Sequence, residues 1–170
     1  MKFRDIKKFP NIHYHVDVPI DYLISTLEGY KKDGLDMSPD FQRGYIWTER
    51  QKVLYVEYLL KDPVSGREIY FNHPEWMGTW KGNFVLVDGK QRLNAVVEFL
   101  SGKIKAYGKY VQEFEDRLPV DVGFSFNIAK LKTRKEVLEW YLDFNTGGTY
   151  HTEKEIQRVK ELIEKDQCNE

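Results

Sequence analysis

The sequence predicts an α+β fold, a compact single domain with a small sheet and at least five helices. Three observations lead there. Capping boxes stand at Thr48–Gln51, Thr133–Glu136 and Thr152–Glu155, each heading a helical stretch. Short strand-like runs occupy 68–72 and 83–87, and "VDVGFSFNI" alternates in the manner of a further strand. Helical and strand-like stretches interleave without an internal repeat, a low-complexity tract or a linker, so one mixed domain is expected across 1–170. Residues 160–170 read as a polar tail that frays.

Each element has its own signal. Pro19 opens the first helix, with Ile20, Leu23, Ile24, Leu27 and Tyr30 at helical spacing and Asp33-Gly34 closing it. Pro39 and Gly44 break any period in "LDMSPDFQRGYIW", which reads as a loop. The helix after Thr48 carries Val53, Leu54, Val56, Leu59 and Leu60, and Asp62-Pro63 ends it. "HPEWMGTWKG" is an irregular loop between the two strand-like runs. The next helix runs from about Gln91 to Ser101, with Leu93, Val96, Val97 and Leu100 on one face and Gly102 past its end. Lys103 to Leu131 is the least periodic stretch.

Composition narrows the function. Hydrophobic residues make up 41% and charged residues 31% of 170, a globular balance, and aromatics reach 15%. With 26 Lys+Arg against 27 Asp+Glu, no overall basic field drives non-specific binding to nucleic acid. The single cysteine, Cys168, excludes a disulfide framework and a cysteine metal site within the chain. No run is long enough to span a membrane and the start lacks a signal-peptide core, so a cytoplasmic protein without membrane partners is expected.

Three polar loops carry the candidate chemistry. In "LVDGKQRLNA" a buried strand turns within two residues into a helix, whose free N–H groups then point beyond the strand end. Gly89 permits close backbone approach, Arg92 offers a planar fork for phosphate, and Lys90 and Gln91 add polar groups. Asp88 is the odd member: beside a phosphate it repels the ligand unless it holds a metal, positions water or caps the helix. On local sequence alone the helix cap is the simpler reading. A helix N-terminus contributes about 1–2 kcal/mol. Two charge-assisted contacts at about 2 kcal/mol each bring the sum to about 5–6 kcal/mol, or a Kd on the order of 0.1 mM. That suits an abundant nucleotide. Stacking on Phe41, Tyr45, Trp47, Trp76 or Trp80 adds about 1–3 kcal/mol.

The loop Pro39-Asp40-Phe41-Gln42-Arg43 repeats the theme, with an arginine that either meets a ligand or caps helix carbonyls. Phe144-Asn145-Thr146-Gly147-Gly148-Thr149 reads either as an anion nest or as a plain helix–helix connection. His13-Tyr14-His15 has the spacing of two metal ligands on a strand but no evident third ligand. Ser25, Ser65 and Ser101 lie in no nucleophile-elbow context.

Taken in order, "PDFQRGYIWTERQK", "VLVDGKQRLNAVVEFL" and "FNTGGTYHTEKEI" resemble the DGQQR-motif family. These are the N-terminal domains of GmrSD-type restriction enzymes and related phage-defence proteins, in the ParB–sulfiredoxin superfamily. The resemblance covers roughly residues 17–159. It implies a ParB/sulfiredoxin-like fold with a nucleotide site, and NTP hydrolysis linked to DNA restriction or processing. Carried onto this chain, the motif residues are Asp88, Gly89 and Arg92, then Phe41, Gln42 and Arg43, then Asn145, Gly147 and Gly148. The first glutamine of the family motif is Lys90 here, a residue that suits phosphate but cannot accept a hydrogen bond. Many relatives continue into a His-Asn-His nuclease domain, and no such motif occurs before Glu170.

The expectation is therefore an NTP-binding and NTP-hydrolysing domain that uses Mg2+ or another divalent cation. Asp88, Arg92, Gln42 and Arg43 are the catalytic candidates, with Asp88 the candidate metal ligand. Gly89, Lys90, Gln91, Arg92, Arg43, Asn145, Gly147 and Gly148 are the phosphate-binding candidates, and Phe41, Tyr45 and Trp47 the stacking ones. DNA and a separate nuclease or restriction subunit are the partners this implies. The rival readings are a nucleotide- or DNA-binding regulator without turnover, and a ParB-like nuclease or phosphotransferase.

Overall fold

The computed structural model describes residues 1–146 and 153–167. Five strands form one mixed sheet: β1 (Ile12–Pro19), β2 (Leu35–Asp36), β3 (Glu68–Asn72), β4 (Phe84–Asp88) and β5 (Gly123–Ala129), in the order β1-β5-β3-β4-β2. The helices are α1 (Leu23–Lys32), α2 (Glu49–Leu59), α3 (Lys90–Leu100), α4 (Arg134–Thr146) and α5 (Glu153–Gln167). This is the α+β class the sequence predicts. β1 and β2 fall outside the predicted strands. Both are edges, where a strand needs a partner on only one side and the apolar signal is weakest.

Alternation along the strands divides the interior into two cores on the two faces of the sheet. Phe71, Phe84, Leu86, Phe124, Phe126 and Ile128 point toward Leu23 and Leu27 of α1, Val56 and Leu59 of α2, and Leu93, Val96 and Phe99 of α3. Val87 and Ala129 face the other way, against Val137, Leu138, Trp140 and Tyr141 of α4 and Val159 of α5. β5 lies between two strands and under both layers, so all of its seven residues are buried although Ser125 and Asn127 are polar. Asn72 extends the pairing beyond β5: its amide donates to the Leu131 carbonyl at 3.1 Å and accepts from the Leu131 N–H at 2.8 Å.

The capping boxes behave as their sequences require. Thr48 Oγ1 accepts from the Gln51 N–H at 3.3 Å while Gln51 Oε1 accepts from the Thr48 N–H at 2.9 Å. Thr133 and Glu136 make the same exchange at the head of α4. Thr152, which would open the third box, lies outside the described residues. Between α3 and β5 the chain makes a short turn closed by an Ala106–Lys109 bridge, and the Tyr107 N–H donates to Glu57 at 2.7 Å. Among the described residues no helix is long and apolar enough to cross a membrane.

One residue joins β4 to α3. Gly89 takes a φ of 106°, in the left-handed region, and a Cβ placed there would sit 2.4 Å from Ile69 Cδ1 and 3.2 Å from its Cγ2. Ile69 is fully buried on β3 and has nowhere to move. Gly89→Ala is therefore expected to destabilise the fold by about 2–5 kcal/mol, combining left-handed strain with overpacking. Adding Ile69→Val removes Cδ1 and should restore the overpacking part only. Denaturant midpoints of the wild type, the single variants and the double variant test this; an unshifted Gly89→Ala midpoint would show that the junction tolerates a side chain.

Candidate functional site

The end of β4 does not run straight into the turn. Phe71 pairs with Leu86, but the next β3 residue back, Tyr70, pairs with Asp88, so one step on β3 matches two on β4. This bulge places Val87 and Asp88 on the same side of the sheet, the side covered by α4. Without it, strict alternation would turn the Asp88 carboxylate toward α1 and α2. Burial pushes up the pKa of the neighbouring Tyr70 phenol, and the charges of Glu68 and Asp88 add to that, with Arg92 opposing.

Around this end lies a cavity of about 140 Å³. Its walls come from β4 and the turn (Val87, Asp88, Gly89), the first turn of α3 (Lys90, Gln91, Arg92), the loop before α2 (Gln42, Arg43, Trp47) and α4 (Tyr141, Asn145). Three segments far apart in sequence thus converge on one site, as the three polar loops suggest. The α3 N-cap is Gly89, with no side-chain cap, and the first helical acceptor bond is Leu93 N–H to the Gly89 carbonyl at 2.9 Å. The N–H groups of the preceding turn face the cavity end of the helix.

Asp88 is consequently not the helix cap that local sequence favours. Its carboxylate accepts from Arg92 Nη2, one helical turn on, in a partly buried ion pair. Arg92 Nε is buried and has no hydrogen-bond partner in the protein. Gln42 is fixed by Nε2, which donates to the Leu86 carbonyl at 2.6 Å and the Val87 carbonyl at 3.0 Å, while its Oε1 is buried without a partner. Two lining residues, Arg92 and Gln42, thus each keep one buried polar atom without a protein partner on a side chain that is otherwise anchored. Buried polar atoms left this way are rare, because each costs about 1–3 kcal/mol.

The other candidates divide clearly. Gln91 serves the loop: Oε1 accepts from the Ile46 and Trp47 N–H groups at 3.0 and 3.3 Å, and Nε2 donates to the Gly44 carbonyl at 2.9 Å. Its side chain is therefore taken up structurally, and only its backbone N–H is left to meet a phosphate. Lys90 is 8% exposed; Nζ donates to the Arg43 carbonyl at 3.2 Å and lies 5.1 Å from the centroid of the Tyr45 ring. Arg43 Nη1 stands 3.8 Å from Glu155 Oε2. Phe41 is 4% exposed and packs on Tyr141 with ring centroids 5.0 Å apart, so it is a core residue and presents no stacking face. Trp76 is likewise buried, and Trp80 lies outside the cavity lining. Tyr45 is 53% exposed and Trp47 half-buried, so they are the aromatic faces beside the cavity.

Asn145 lines the cavity and donates to the Tyr141 carbonyl at 2.6 Å, whereas Gly147 and Gly148 lie outside the described residues. Besides the apolar Val87, Tyr141 is the lining residue with no place among the sequence candidates. Its signal was the four-residue step to Asn145, which puts both on one helix face. Burial pushes its phenol up to about 12, with the Arg43 charge opposing. No group of three or more His, Cys, Asp or Glu residues that could hold a metal exists among the described residues. His15 Nδ1 instead pairs with Asn127 Oδ1 at 2.9 Å.

The GmrSD restriction endonuclease N-terminal domain matches the chain over residues 24–169, a span that holds every lining residue of the cavity. No curated protein and no solved structure matches the chain.

The Gln91 amide makes three of the contacts that hold the loop over residues 44–47. Gln91→Ala should accelerate amide hydrogen exchange at Ile46 and Trp47 by about 10- to 100-fold, since each lost bond contributes about 1 kcal/mol. Gln91→Glu keeps the acceptor and should fall between. Exchange rates unchanged in Gln91→Ala would mean that the loop is held by other contacts.

Proposed function

The chain belongs to the GmrSD restriction endonuclease N-terminal domain family, and we propose that its cavity binds a nucleoside triphosphate and hydrolyses it in the service of DNA restriction or phage defence. One observation carries this reading: Arg43, Lys90 and Arg92 converge with the N-terminus of α3 on one cavity, and two of its lining residues, Arg92 and Gln42, each keep a buried polar atom, Nε and Oε1, without a protein partner. Phosphate oxygens satisfy the donors. The helix N–H groups and Arg92 hold the terminal phosphates, Arg43 closes over them, and Tyr45 or Trp47 offers a face to the base.

For hydrolysis, Gln42 Oε1 accepts a hydrogen bond from a water molecule and directs its lone pair at the γ-phosphorus. The bond from that phosphorus to the β–γ bridging oxygen breaks, and nucleoside diphosphate and inorganic phosphate leave, with the proton of the water carried off on phosphate. Positioning and charge neutralisation are the main catalytic effects in such a reaction. Asp88 orients the Arg92 fork and stands close enough to the turn to order the water.

The lining does not fit a resident metal ion, because Asp88 is its single carboxylate and is already paired with Arg92. A divalent cation enters this proposal only as the counter-ion of the nucleotide in solution, the reading does not require it to stay with the bound phosphates, and no step is assigned to it. The same pairing favours a second reading, a regulator that binds nucleotide without turnover and acts on a separate nuclease subunit or on DNA, since no carboxylate in the lining is free to act as a base.

Phosphate release from each NTP with magnesium separates the two. Hydrolysis requires release by the wild type, a fall of about 100-fold in kcat/KM for Arg92→Ala, and a loss in kcat rather than in affinity for Gln42→Ala. Asp88→Asn frees Arg92 and removes a repulsion, so nucleotide affinity should rise several-fold while turnover falls. Binding without any phosphate release selects the regulator. Equal turnover in the wild type and Asp88→Asn would remove Asp88 from the chemistry.

A further inference from the structure

The three cations of the cavity differ in one respect. Arg92 is paired with Asp88, and Arg43 faces Glu155 at 3.8 Å. Lys90 has no carboxylate within 4.0 Å among the described residues, although it is the most deeply buried of the three. Its partners are the Arg43 carbonyl and the face of the Tyr45 ring. Both orient an ammonium, but neither carries a net charge to offset it. Burial lowers the pKa of Lys90, and the charge of Asp36 counters only part of that effect. An uncompensated buried charge is costly, and an anion placed in the same cavity offsets the cost.

We propose that Lys90 gives this site the charge that a divalent cation would otherwise bring, so that the cavity holds a triphosphate free of metal. The inference rests on the reading of the cavity as a phosphate site and adds the ionic form of the ligand. Two features support it. The lining has three cations against one carboxylate, and the described residues provide no metal-ligand cluster that would compete for the same phosphate oxygens. The cavity, at about 140 Å³, is well below the ~300–1,000 Å³ of a site that encloses a drug-sized ligand, so it matches the phosphate end of a nucleotide rather than the whole molecule. The ammonium is also fixed before the ligand arrives: a carbonyl on one side and a ring on the other leave little side-chain entropy to lose.

Inorganic tripolyphosphate is the probe, titrated calorimetrically into the wild type and Lys90→Gln, once with EDTA and once with saturating magnesium. Glutamine is one atom shorter but still offers an N–H donor while removing the charge, and thermal unfolding of both proteins checks that the fold persists. The expected result is wild-type binding in EDTA, a loss of about 10- to 100-fold for Lys90→Gln in EDTA, and a loss of under about threefold with magnesium. Equal losses in the two conditions would overturn the proposal and reduce Lys90 to a loop anchor. Wild-type binding that requires magnesium would overturn it as well, while leaving the nucleotide reading intact. Absence of binding in both conditions would overturn the phosphate reading along with it.

Discussion

The passage from β4 into α3 within one residue depends on a left-handed backbone at a position with no room for a side chain. Gly89 meets both conditions, with a φ of 106° and Ile69 packed against the place a Cβ would occupy. The rest of the site follows from that constraint. Because the turn is so tight, the last strand residue and the first helical turn share one small space. Asp88, Lys90 and Arg92 then stand around the same cavity, and the helix presents its N–H groups at the strand end rather than to bulk water. A longer connection would separate the carboxylate from the guanidinium that pairs with it.

Around this junction, polar groups are shared between holding the structure and facing the cavity. Lys90 and Gln91 fasten the loop that carries Gln42 and Arg43, through the Arg43 and Gly44 carbonyls and the Ile46 and Trp47 N–H groups. Gln42 fastens itself to the end of β4 by its amide nitrogen. The same loop is held from the other side by Asp40, whose two carboxylate oxygens accept from Arg134 Nη2 at 2.8 Å and whose carbonyl accepts from Arg158 at 2.7 Å. α3, α4 and α5 therefore all fix one loop. The lining side chains are thereby held in place, which lowers the ordering cost of binding a ligand there.

Charge balance gives the cavity its character. The whole chain is nearly neutral, with 26 basic against 27 acidic residues, yet the lining has three cations and one carboxylate. With Asp88 on Arg92 and Glu155 3.8 Å from Arg43, the excess of positive charge is local and centred on Lys90.

Much of the fold was legible in the sequence because its signals are short-range. The boxes at Thr48 and Thr133, the spacing of Leu23 and Leu27, and the glycines at 89 and 102 each act within a few residues, so local chemistry determined the described helices and the three inner strands β3, β4 and β5. It also determined which three loops held the polar residues. Only the tertiary structure decided what those residues do. The bulge that swings Asp88 toward α4 depends on the register against Tyr70, and a single step would have sent the carboxylate to the opposite core. Gln91 and Gln42 look equivalent in sequence, yet one is taken up by backbone groups 44 to 47 residues away while the other keeps a buried oxygen without a partner. Phe41 and Tyr45 likewise separate into core and surface according to where Tyr141 packs. Hydrogen bonds and burial across such distances depend on how the whole chain closes, and no local pattern encodes which donor is left over.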